Sequence, residues 1–187
     1  VSGSRVNQNL FDAICDRSDL LELSIQAHVL KVSDFSKLKQ LTQLEQLTII
    51  GVKTDKGLSS LGKMSNLRYL ALTLGKNVND LSVAANELQL LEELSLGGHS
   101  GSSGIKNLKF LRHLKSLKYI TLYSIKCQED NSLSSLNELE HLVGVHVVSP
   151  GNWDKKELAA LENQGVEVVR KMDSFGQWGP KDVESQL

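Results

Sequence analysis

Disulfide partners, rigid turns and aromatic mass are all scarce in this sequence: its 187 residues include two cysteines, two prolines and 5% aromatics. Cys15 and Cys127 form no disulfide framework and stand at no metal-ligand spacing, so they read as buried, reduced thiols. Neither sign of charge dominates. The 21 Lys and Arg against 22 Asp and Glu leave a formal charge of −1, which excludes a surface built chiefly to hold phosphate backbones. No apolar run approaches the roughly 20 residues that a membrane-spanning helix needs. The opening residues carry no basic-then-apolar leader, and no Asn-x-Ser/Thr acceptor occurs, so a cytoplasmic setting is the expectation.

Catalytic signatures are missing too. The five histidines fall in separate stretches with no His-Glu-x-x-His and no Cys/His cluster, so no metal and no cofactor are expected. The Gly97–Gly104 stretch, GGHSGSSG, is the richest in glycine and serine. It lacks the Lys-Ser/Thr pair of a phosphate-cradling loop, and Gly98-His99-Ser100-Gly101-Ser102 fails the last position of a nucleophile elbow.

What is present is a repeat. A six-residue frame, Leu-x-x-Leu-x-Leu with aliphatic substitutes, starts at Leu20, Leu44, Leu67, Leu91, Leu117 and Leu142, at intervals of 24, 23, 24, 26 and 25 residues. Each frame ends in period-two alternation, such as Leu94-Ser95-Leu96, which predicts a half-buried strand. Upstream of each frame, apolar residues recur every third position, as in Phe35, Leu38 and Leu41 or Leu133, Leu136 and Leu139. That spacing predicts a short α- or 3₁₀-helix across the back of the strand. One such coil cannot bury its leucines alone, so neighbours must stack into a continuous core. Cysteines four or more coils apart at ~4.8 Å per strand lie about 19 Å apart and cannot pair.

The pattern resembles the leucine-rich repeat, and the stretch from Val32 to Ile49 is most similar to the internalin or phosphatase-regulator type. The resemblance implies an α/β fold: a right-handed solenoid with a parallel β-sheet on the concave face and short α- or 3₁₀-helices on the convex face. It also implies capture of a protein partner on that sheet. One departure stands out. Where the family places a turn asparagine, this chain has His28, Val52, Gly75, His99, Ile125 and Pro150. Other groups must then satisfy the turn's backbone.

The frame predicts which residues face a partner, because side chains alternate across a strand. The first outward column is Glu22, Gln46, Tyr69, Glu93, Tyr119, Gly144. The second is Ser24, Thr48, Ala71, Ser95, Thr121, His146, Glu167. The third is Gln26, Ile50, Thr73, Gly97, Tyr123, Val148, Val169. All three tyrosines of the chain fall in these columns, and the expected contact set is Gln46, Ile50, Tyr69, Thr73, Glu93, Tyr119, Tyr123 and His146. A competing explanation is that the rings cover the pleat beside short neighbours such as Gly97. Lys106, Lys109, Arg112, His113, Lys115 and Lys118, on an expected helix over 105–117, read as a solvated convex face, and nucleic acid is not an expected partner.

The solenoid is expected over residues 1–169, with a seventh strand at 166–169 after a helix at about 155–163, and a tail or cap over 170–187. Val1-Ser2-Gly3 matches Ile49-Ile50-Gly51 in register, as the end of a strand begun upstream would, and Leu10, Ala13 and Ile14 supply the first helix. The leading function is a protein-interaction module of regulatory, inhibitory or effector type. The alternatives are a structural segment of a larger protein, or a hydrolase using the 97–104 loop with His99 and Ser100.

Overall fold

A computed structural model describes residues 2–98, 105–148 and 153–170. Strand and back segment alternate along the chain. The strands are β1 (Ser2–Asn7), β2 (Glu22–Lys31), β3 (Gln46–Val52), β4 (Tyr69–Leu74), β5 (Glu93–Gly98), β6 (Tyr119–Tyr123), β7 (Gly144–Val148) and β8 (Glu167–Val169). Among the described residues they form one parallel sheet in sequence order. The strand leucines of the frame meet their counterparts one coil on: Leu70, Leu94, Ile120 and Val145 are successive partners, as are Leu72, Leu96, Leu122 and Val147. The leucine spacing therefore dictates the register directly.

The convex segments follow from the every-third-residue pattern. A period of three eclipses side chains at i and i+3, which suits a 3₁₀-helix and slips off the face of an α-helix. Ser36–Gln40, Leu58–Lys63, Lys109–His113 and Ser134–Glu138 are 3₁₀. True α-helix occurs at α1 (Gln8–Cys15), α2 (Ser82–Ala85) and α3 (Lys155–Asn163). The helix expected over 105–117 shrinks to Lys109–His113, because Ile105, Leu108, Leu111 and Leu114 keep a three-residue spacing too tight for α-helix. Phe110, met among surface lysines in the sequence, turns inward and is buried.

The core is a ribbon of stacked aliphatic side chains between sheet and back. Ile25, Leu47, Leu72, Leu94, Leu96 and Leu122 line its sheet wall, and Phe35, Leu38, Leu61, Leu111 and Leu133 its back wall. At the first coil Phe11 packs edge-on against Phe35, with ring centroids 5.3 Å apart. The face of α1 differs from expectation. Phe11 and Cys15 are its buried residues, whereas Leu10 is 43% exposed and Ala13 is exposed. The four-residue spacing of Phe11 and Cys15 follows an α-helical face, and Ile14 only packs against its edge.

The missing turn asparagines are replaced in two ways. Val52 and Ile125, at positions the family gives to asparagine, join the apolar core. At the entrance to the back segments, a short polar side chain accepts from the backbone N–H two residues on. Asp34 takes Ser36 (2.8 Å), Thr54 takes Lys56 (3.2 Å), Asp80 takes Ser82 (2.7 Å) and Asn107 takes Lys109 (3.1 Å). Asp130 takes Ser132 (2.9 Å) and Asp154 takes Lys156 (2.8 Å). These are the Asx and Ser/Thr turns that short polar residues favour. The tight packing of coils also demands Gly57: at φ +82°, a Cβ there would stand 2.3 Å from the Ser36 nitrogen.

The ends refine the register. Ser2 pairs with Gln26 and Gly3 with Ala27, the alignment expected from Val1-Ser2-Gly3; Val1 itself lies outside the described residues. β2 is ten residues long, pairing with β3 through Glu22–Ile25 and with β1 through Gln26–Lys31. At the other end, Glu167 pairs with Gly144 and Val169 with His146. Glu167 thus belongs to the first outward column and Val169 to the second, two places from where the sequence pattern put them. Gly165, at φ +85° just past α3, takes the position that a frame leucine holds elsewhere, and this delays the strand. Residues 99–104 of the Gly/Ser loop and the tail from 171 lie outside the described residues.

Candidate interaction face

The sheet side of a strand-and-helix repeat lines the concave surface, so the outward columns form the floor of the concavity. The first column runs Glu22, Gln46, Tyr69, Glu93, Tyr119, Gly144 and Glu167 in unbroken register. The second runs Ser24, Thr48, Ala71, Ser95, Thr121, His146 and Val169. In the third, Thr73 pairs with Gly97, Gly97 with Tyr123 and Tyr123 with Val148. Ile50, partly buried, sits at a register shift between Ile49 and Val52. Gln46 is exposed, and Tyr69, Glu93, Tyr119, Tyr123 and His146 are partly buried.

The three rings are held differently. Tyr123 lies across Gly97, where even a Cβ would stand 1.8 Å from its Cζ, and its hydroxyl hydrogen-bonds to Thr73 two strands away. Thr73, expected as a contact residue, is 7% exposed beneath this ring. Tyr119 leans the other way, toward Gly144, whose added Cβ would meet its Cδ1 at 3.1 Å. Tyr69 is driven to a raised pKa by burial and by the nearby Glu93 and Tyr123, with the Thr48 hydroxyl alongside pulling the opposite way. So the rings both cover small neighbours and offer their remaining faces to solvent.

Between Tyr69 and Tyr119 stands Glu93, directly paired with both. Burial raises its pKa, the adjacent Glu92 adds to this, and Lys118 works against it. Among the described residues no hydrogen bond or ion pair engages its carboxylate. Glu92, by contrast, holds Lys118 at 2.6 Å and Arg68 at 2.7 Å, and Lys118 above all keeps its carboxyl below the usual range. Arg68, Glu92 and Lys118 occupy the second frame position, one residue before the outward columns. Sequence reasoning passed over this ladder, although alternating charges at the repeat spacing were a visible signal.

The back of the molecule has an open cleft of about 230 Å³ lined by Asp80, Lys106, Lys109, Phe110, Arg112 and His113, among others. Several of its polar side chains are engaged locally. Lys109 reaches Asp130 at 3.6 Å, Asp80 bonds both the amide and hydroxyl of Ser82, and the Arg112 Nε donates to the His113 Nε2 at 3.4 Å. The cysteines are buried and reduced; burial foremost raises Cys15 to about 12 and Cys127 to about 11, which leaves both thiols inert near neutral pH. Among the described residues no three His, Cys, Asp or Glu side chains gather to hold a metal ion, and no helix is long and apolar enough to cross a membrane.

No family model matches the sequence, and no curated protein matches it. Solved structures do. Internalin C2 of Listeria monocytogenes superposes with a TM-score of 0.52 at 22% identity, over 76% of this chain and 61% of that one. A leucine-rich-repeat protein of Leptospira interrogans superposes with a TM-score of 0.53 at 18% identity, over 84% of this chain and 50% of that one. The chain therefore spans less than two thirds of either structure. Frame, register and superposition agree: this chain has the leucine-rich-repeat fold, the fold it shares with internalin C2.

Proposed function

We propose that the chain is a protein-interaction module that takes a protein partner on its concave sheet, as a regulatory, inhibitory or effector-type component. The observation that carries the reading is the tyrosine cluster. All three tyrosines of a chain with 5% aromatics stand on this one face, on β4 and β6, with their rings seated but not covered. Tyrosine gives large, stiff, amphipathic contact area with few rotamers to freeze, the property that hot spots use. Across eight strands at ~4.8 Å the face is about 34 Å wide, enough for a standard interface of roughly 800 Å² per partner.

The test is affinity capture from a lysate of the source organism at low and moderate salt, beside a variant carrying Tyr69→Ala, Tyr119→Ala and Tyr123→Ala. The expected result is a protein retained at moderate salt by the wild type and lost by a variant whose circular dichroism is unchanged. Equal capture by both would move the interface off the concave sheet.

A further inference from the structure

The concave face is one-sided in charge. Its three outward columns present Glu22, Glu93 and Glu167, and among the described residues they carry no lysine and no arginine. Lys118, whose charge reaches Glu93, is held by Glu92, as is Arg68. Among the described residues, the central carboxylate of the sheet has no ion-pair partner of its own.

Aromatic rings flank it on both neighbouring strands. Glu93 stands one strand, about 4.8 Å, from each of Tyr69 and Tyr119, so the two ring positions are about 10 Å apart. Tyr119 leans toward Gly144, and Tyr69 has the Thr48 hydroxyl on the strand away from Glu93. Ala71 and Ser95, the next outward residues along β4 and β5, are small, and Tyr123 lies across Gly97 two residues further along. Aromatic faces around a carboxylate suit a cation: the ring quadrupoles attract it, the carboxylate pairs with it, and the partly buried site weakens competition from water.

We infer that Glu93, between Tyr69 and Tyr119, receives an arginine or lysine side chain of the partner protein, so that the concave sheet selects a basic segment. The inference rests on the concave-face reading above and adds the chemistry of what that face binds. Removing such a contact costs far more than removing a rim charge, because the partner's cation would be left desolvated and unpaired.

The test is selection of a displayed random dodecapeptide library against the folded chain at moderate salt. Enriched peptides are then measured on Tyr69→Ala, Glu93→Gln, Glu93→Asp and Glu140→Gln, the last an exposed carboxylate outside the sheet face. Glu93→Gln keeps the side chain's shape and should fold as the wild type does. The expected result is a peptide family with a fixed arginine or lysine. Its affinity falls about tenfold or more on Glu93→Gln or when that residue becomes citrulline or norleucine, recovers in part with Glu93→Asp, and is unmoved by Glu140→Gln. Peptides that weaken on Tyr69→Ala but ignore Glu93→Gln, or that lack a basic residue, would overturn the cation inference and leave the concave-face reading standing. Peptides indifferent to both positions would overturn both readings, and a selection that enriches nothing overturns the inference equally.

Discussion

The front and back of this solenoid are built from the same leucines yet treat charge in opposite ways. On the back, Asp34, Asp80 and Asp130 fold onto backbone N–H groups two residues ahead, Lys56 and Lys109 sit within 4 Å of an aspartate, and Arg112 leans on His113. On the front, Glu93 stands between two tyrosines, and Lys118, whose charge reaches it, is held by Glu92. A back segment must close a turn in few residues, so its short polar side chains are taken up by their own backbone and by cations one coil away. A strand's outward residue has no such local duty, because the ladder already satisfies its backbone. The difference explains why a basic cluster on the back is a solvated surface, whereas a single carboxylate on the front carries a binding inference.

The comparison first depends on both faces resting on one core, and the largest effects test that. Leu96 on the sheet wall and Leu111 on the back wall are both fully buried. Leu96→Ala and Leu111→Ala should each cost about 2–5 kcal/mol in urea unfolding, since each leaves a cavity in the same ribbon. A back-wall variant near neutrality would show that the 3₁₀ segments are draped over the core and are not part of it.

A smaller effect is confined to the front. Gly97→Val would drive the Tyr123 ring off the sheet, because its Cβ falls within the ring, and would break the hydroxyl bond to Thr73. The ring can swing into solvent, so the expected stability loss is only about 1–2 kcal/mol. Peptide binding should suffer more than folding does. A Gly97→Val chain that binds as well as the wild type would remove Tyr123 from the contact face.

How much of this was legible beforehand follows from which features the repeat controls. The frame leucines fix the strands, their order and their register, because a one-residue slip would turn every leucine to solvent. Hence the columns through Tyr69, Glu93 and Tyr119 were readable, and so was the pairing of Ser2 with Gln26. Where the frame lapses, so does the reading: Gly165 replaces a leucine, and Glu167 and Val169 were placed two positions off. In α1 the spacing did not choose the face: Leu10, Ala13 and Ile14 at i, i+3 and i+4 suit an α-helix, yet the helix buries Phe11 and Cys15, also at i and i+4. The lean of a side chain was not legible at all. No pattern says that Tyr123 crosses Gly97 to cover Thr73, or that Glu92 engages both neighbouring cations, because those depend on rotamers and on contacts across strands.

The smallest effects are those of pH, and they sharpen the contrast by differing in sign between the faces. On the back, hydrogen bonds from Ser36, aided by Lys56, hold Asp34 down to about 2. A depressed carboxylate adds stability above its unfolded pKa near 3.9, and that contribution is lost as pH falls toward 2. Asp34→Asn should therefore lower the melting temperature at neutral pH and converge with the wild type in strong acid. On the front, burial raises Glu93, so the folded state prefers it protonated. Its favourable contribution is complete below the unfolded pKa near 4.3 and is lost as pH rises through the higher folded value. Glu93→Gln should thus raise the melting temperature at neutral pH and lose its advantage below about pH 4. Both shifts should be modest, since both side chains keep contact with solvent. A basic peptide seated on the sheet supplies the counter-charge Glu93 lacks. It should raise the melting temperature of the wild type more at pH 7 than in acid, and should lose that pH dependence in Glu93→Gln. A Glu93→Gln chain less stable than wild type at neutral pH would mean that the carboxylate already has its partner within the fold, and the contrast between front and back would fail there.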